Sequence, residues 1–90
     1  MISSNNRKIK EAILDNLSII QFNLEQAIEA GMKDYEEVIY NEIADLIGEV
    51  KGLETEAELK ESINQSKIIE NKINSWLLSQ GQTTIDLTWP

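Results

Sequence analysis

Apolar residues fall at helical spacing in three separate blocks of this chain. In the first, Ile9, Ile13, Leu17, Ile20, Leu24 and Ala27 recur three and four apart, which lines one face of a helix. This block predicts a helix over about residues 5–30. Asn16 and Asn23 lie at the edge of the stripe, where polar side chains fix the register of packed helices at some cost in stability. Leu14, Ile19 and Phe22 project outside it, so the helix is expected to touch more than one neighbour. In the second block Tyr35, Ile39, Ile43, Leu46 and Val50 form the stripe, widened by Tyr40 and Ile47 on one flank and Val38 on the other. It predicts a helix over about 34–51, with Gly48 in its last turn; an interior glycine costs about 1 kcal/mol relative to alanine. The third block sets Leu59, Ile63, Ser66, Ile73 and Leu77 on a line, with Ile69 and Trp76 on one shoulder, and predicts a helix over about 55–80. Ser62 and Ser66 leave the middle of that stripe thin.

The junctions carry start and stop signals. Gly31 precedes Asp34-Tyr35-Glu36-Glu37, and Gly52 precedes Thr55-Glu56-Ala57-Glu58. Each reads as a C-cap glycine followed by a capping box with Asp34 or Thr55 at the N-cap. Gly81 is the corresponding stop for the third helix. Connections this short force neighbours to run antiparallel. The expected fold is all-α, an up-down-up antiparallel three-helix array over residues 1–81, closed within one chain or completed by dimerisation. Because the middle helix is the short one, Trp76, Leu77 and Leu78 overhang it and need cover. Residues 82–90 form a C-terminal tail in which Ile85, Leu87 and Trp89 alternate with Asp86 and Thr88. That period of two in β-prone residues predicts an extended segment. It either folds back over Trp76, pairs with a second copy, or fits a sheet edge or groove on another protein.

The 90 residues contain neither Cys nor His, which removes the thiolate nucleophile, the zinc-thiolate site and the commonest general base. The four glycines are isolated at 31, 48, 52 and 81, so there is no phosphate-cradling loop. No cofactor is expected. The net charge of −8 is uneven: residues 31–60 hold three basic and nine acidic side chains, net −6. That sign argues against nucleic acid and anionic membranes as partners. With no long apolar run and no signal-peptide pattern, a cytoplasmic protein is expected. Arg7, Lys8 and Lys10 make a small cationic cluster at the first helix start, where the helix dipole disfavours cations.

Glu42, Asp45 and Glu49 line the Val38 side of the second helix as an acidic face. Helix-borne carboxylates of this kind ligate divalent cations in some bundle enzymes. The segment Glu42-Ile43-Ala44-Asp45 resembles the Glu-x-x-Asp motif of the all-helical nucleotide pyrophosphohydrolases. That resemblance implies a carboxylate-metal enzyme, which needs a second acidic pair; Glu25 and Glu29 are four apart rather than three. Against this stand two non-enzymatic readings. The leading one is a protein-interaction module, an adaptor, small chaperone or regulatory subunit without catalytic activity, using Phe22, Trp76, Leu77, Ile85, Leu87 and Trp89 against another protein or a second copy. The alternative is an acidic inhibitor of a basic protein site, such as an immunity protein, antitoxin or nucleic-acid mimic. Deleting residues 83–90 tests the tail: a changed oligomeric state in light scattering places it in trans, whereas an unchanged monomer with a lower melting temperature places it in cis.

Overall fold

The structure, a computed structural model, describes residues 2–33 and 38–90. Helix α1 spans Ser4–Glu29, α2 Val38–Gly52 and α3 Glu56–Ser79, all three packed on one another as an all-α bundle. There is no strand among the described residues. The N-cap expected at Asp34, its partner Glu37 and the stripe residue Tyr35 lie outside the described residues.

Local chemistry accounts for each described boundary. Ser3 caps α1, its Oγ accepting the Asn6 N–H at 3.1 Å. Thr55 caps α3: its Oγ1 accepts the Glu58 N–H at 3.3 Å and donates to Glu58 Oε1 at 2.6 Å. One half of the capping box read at 55–58 is therefore present; the glutamate side chain closes on the cap hydroxyl rather than on the Thr55 N–H. Helices α1 and α3 end in the same way. The Gly31 N–H reaches the Ile28 carbonyl at 3.1 Å and the Met32 N–H reaches Ala27 at 2.9 Å. At the other end, the Gly81 N–H reaches Leu78 at 3.0 Å and the Gln82 N–H reaches Leu77 at 2.9 Å. Both are Schellman turns, and both need a left-handed residue: φ is 115° at Gly31 and 71° at Gly81. Met32, absent from the apolar stripes, becomes buried beside Ala27, as the residue after a Schellman glycine often does.

Gly52 corrects the sequence reading. It is the last residue of α2 and lacks a positive φ; the chain turns instead through a Leu53 N–H to Val50 carbonyl bond of 3.1 Å. Capping at this end comes from α1. Lys10 Nζ donates to the Lys51 carbonyl at 2.9 Å and Asn6 Nδ2 to the Glu54 carbonyl at 3.1 Å. A cation on the last carbonyls of a helix is favourable, so Lys10 serves the end of α2 rather than the start of its own helix.

The same contacts fix the antiparallel order, since the start of α1 meets the end of α2 and Lys72 of α3 meets Glu42 near the start of α2. Ile13, Leu17, Ile20 and Leu24 of α1 are fully buried, together with Ile43 and Val50 of α2 and Leu59 and Ile73 of α3. The thin middle of α3 is buried without loss: Ser62 donates to the Leu59 carbonyl and Ser66 to the Ser62 carbonyl, each at 2.7 Å. Beyond Gly81 the tail runs back antiparallel to α3, meeting Asn74 at Ile85 and Glu70 at Trp89, and touching α1 at Asn16.

Two glycine substitutions test this account. At Gly48 an added Cβ meets nothing within 4 Å, so Gly48→Ala should stabilise by about 1 kcal/mol. Space is equally open at Gly81, but its left-handed backbone should make Gly81→Ala destabilising by about 1–2 kcal/mol. Melting temperatures should shift in opposite directions, by roughly 4–8 °C per kcal/mol for a domain of this size.

Candidate functional site

Among the described residues, two grooves of the bundle differ in character. Between α2 and α3 an open groove has Leu46 and Ile69 at its floor, and Glu42, Asp45 and Glu49 along one rim. Ile68 stands on the other rim, 57% exposed. Lys72 lies 3.4 Å from Glu42 across the groove, both side chains partly in solvent, a pair worth at most about 1 kcal/mol. Past Glu49 and Gln65 the depression continues along Leu53, Glu58 and Glu61. The carboxylates predicted as an acidic face thus stand across the groove from the exposed Ile68, above the buried Leu46 and Ile69. No group of three or more carboxylates is arranged to hold a metal ion among the described residues, and Glu25 and Glu29 are exposed on α1. Among the described residues, no second acidic pair of the kind the pyrophosphohydrolase resemblance calls for is gathered with Glu42 and Asp45.

The other groove, between α1 and α3, is filled by the tail. Ile85, Leu87 and Trp89 are half-buried and pack against the core together with Trp76 and Leu77. Five of the six residues predicted to bind a partner are therefore gathered on one side of the bundle, engaged with one another or with the core. Phe22 stands apart on α1, 61% exposed. Polar contacts grip the tail by its backbone. The Asn74 amide accepts from the Ile85 N–H at 2.7 Å and donates to the Ile85 carbonyl at 3.0 Å. Asn16 Nδ2 donates to the Thr88 carbonyl at 2.9 Å. Where the tail leaves α3, a small cleft remains between Ala27, Ala30, Trp76, Leu77 and Thr83.

Under Trp89 lies a residue that the hydrophobic pattern passes over. Glu70 is only 8% exposed. Its Oε1 accepts from Trp89 Nε1 at 3.5 Å, a long hydrogen bond, and its Oε2 is buried with no partner. Burial pushes its carboxyl above the ordinary 4.5 and the nearby Asp86 pushes the same way; the Trp89 hydrogen bond and Lys67 oppose them. The register held the clue: position 70 is four after Ser66 and three before Ile73, a core position filled by an acid.

No family model, curated protein or solved structure matches the chain. The functional reading therefore rests on these two grooves.

The carboxyl of Glu70 gives a pH signature. Its pKa is raised on folding, so as pH climbs above about 4.5 the unfolded chain loses this proton first. The folded state then binds more protons, and this residue's contribution to stability falls with rising pH until the raised pKa is passed. Glu70→Gln should remove that slope. In urea titrations across the acid-to-neutral range, the variant should gain on the parent as pH increases; a constant difference would contradict the assignment.

Proposed function

We propose that this chain is a protein-interaction module whose docking surface is the α2–α3 groove, and that its partner offers a basic, amphipathic segment. The observation that carries the reading is the exposed Ile68 and the apolar floor beneath it, edged by Glu42, Asp45 and Glu49. An apolar strip bordered by one sign of charge suits a helix with leucine-like residues on one face and lysine or arginine beside them. Burial of the strip supplies affinity, while the carboxylates set orientation and on-rate. Trp76, Leu77, Ile85, Leu87 and Trp89 are less available, because they pack against the core. The carboxylates of Glu42, Asp45 and Glu49 favour a second reading on the same surface, an inhibitor that covers a basic site on its target.

Both readings are tested with one defined probe, an amphipathic helical peptide of leucine and lysine, titrated into the labelled protein and followed by amide shifts. Shifts should concentrate at Glu42, Asp45, Glu49, Ile68 and Lys72. Ile68→Ser should weaken binding by roughly ten- to a hundredfold, as expected for loss of a buried side chain worth some 1.5–3 kcal/mol, with little change in stability since Ile68 is exposed. Charge reversal at Glu25 and Glu29 should matter less than at Asp45 and Glu49. A steep fall of affinity with salt together with indifference to Ile68→Ser would favour the electrostatic inhibitor. Equal effects of both charge reversals would overturn the groove assignment.

A further inference from the structure

The tail is an imperfect ligand for the groove it fills. Its backbone is held well, by both halves of the Asn74 amide and by Asn16, and those contacts accept any extended segment whatever its side chains. Its apolar positions fit as well, with Ile85, Leu87 and Trp89 against the core. The mismatch is at Glu70. An ionised carboxylate that is nine-tenths buried calls for a cation or several strong donors. Here it receives one indole N–H at 3.5 Å, and its second oxygen receives nothing. The tail also brings the Asp86 carboxylate near it, a charge of the same sign that acts on Glu70 more strongly than the nearby cation Lys67. A guanidinium in place of the indole would satisfy both oxygens with a bidentate fork and neutralise the charge.

We propose that the α1–α3 groove is a binding site for an extended segment of another protein with the pattern apolar-x-apolar-x-arginine, and that residues 85–89 occupy it as a tethered, weaker stand-in. The arginine pairs with Glu70, the two apolar side chains take the places of Ile85 and Leu87, and Asn74 and Asn16 hold the incoming backbone. The site is independent of the α2–α3 groove, so the two proposals fail separately. Tethering gives the tail an effective concentration of roughly millimolar order. An incoming segment therefore has to bind the open groove more tightly than the tail does, and the Glu70 pair is the feature on which it gains.

The test uses the full chain and two labelled octapeptides, residues 83–90 as they stand and the same peptide carrying Asp86→Asn and Trp89→Arg. Binding is read by fluorescence anisotropy, and release of the tail by the amide shifts of Ile85 and Thr88. A full-length variant with Ile85→Ser and Leu87→Ser loosens the tail while leaving the groove intact, so that a strong internal tail does not hide a working site. The substituted peptide should bind this variant about tenfold or more tighter than the unsubstituted one, as a gained charge-assisted bond should produce. Glu70→Gln should erase the preference. Equal affinities, no binding of either peptide to the loosened variant, or a preference that survives Glu70→Gln would each overturn the proposal. So would exchange of tails between copies, seen as a concentration-dependent dimer, without uptake of the arginine peptide.

Discussion

The whole arrangement leans on one stripe of α1. Ile13, Leu17, Ile20 and Leu24 have no exposed surface, and α1 packs against both other helices. A helix has a limited apolar arc, and one that must serve two neighbours leaves a third side of the bundle open. In a chain of 90 residues the core is too small for that opening to be inconsequential. Ile85, Leu87 and Trp89 close part of it. The helices set where the tail lies, and the tail in turn completes the shielding of the helices.

Closure on that side differs in kind from closure between helices. Helix packing here rests on interlocked aliphatic side chains that permit one register. The tail is attached through amide side chains that recognise main chain, through half-buried apolar contacts, and through a carboxylate that it leaves half satisfied. An unpaired buried oxygen is a cost borne by the folded state. Such a group weakens local attachment without threatening the bundle, whose aliphatic core lies deeper. The α2–α3 side is the converse: its charges are exposed and inexpensive, and its apolar strip is left uncovered.

Much of this was legible in the sequence, for identifiable reasons. The three helices follow from apolar spacing, and the ends of α1 and α3 follow from glycines whose left-handed conformation suits no other residue as well. Gly52 misled because a glycine before a capping box looks the same whether the preceding helix ends by a left-handed turn or by a tight right-handed one. The difference lies in Lys10 and Asn6, which reach the end of α2 from over forty positions away, and no local pattern reports that. Glu70 escaped notice because hydrophobic periodicity counts apolar residues and passes over an acid in their register. Asn74 escaped for the related reason that its partner is backbone of the tail, which has no signature in the sequence, and Asn16, read as fixing the register of packed helices, instead donates to the tail carbonyl of Thr88. Of the predicted site, the acidic face could be read as a line of charges, but the apolar strip beside it comes from Ile68 on a different helix.

An odd number of helices has one more consequence. In an up-down-up bundle the axial dipoles of α1 and α2 largely oppose one another, while that of α3 has no counterpart. Each helix contributes about half a unit of charge at either end. The α1 and α3 C-termini lie at the same end of a molecule 43 Å long, and neither helix carries a basic residue in its last turn. Only α2, which points the other way, has one, Lys51. The bundle is thus electrically polar along its length, and the pole where both Schellman glycines sit is negative before any side chain is counted. At that pole the last-turn carbonyls of α1 and α3 favour cations close to the surface, a local preference that comes from the fold itself.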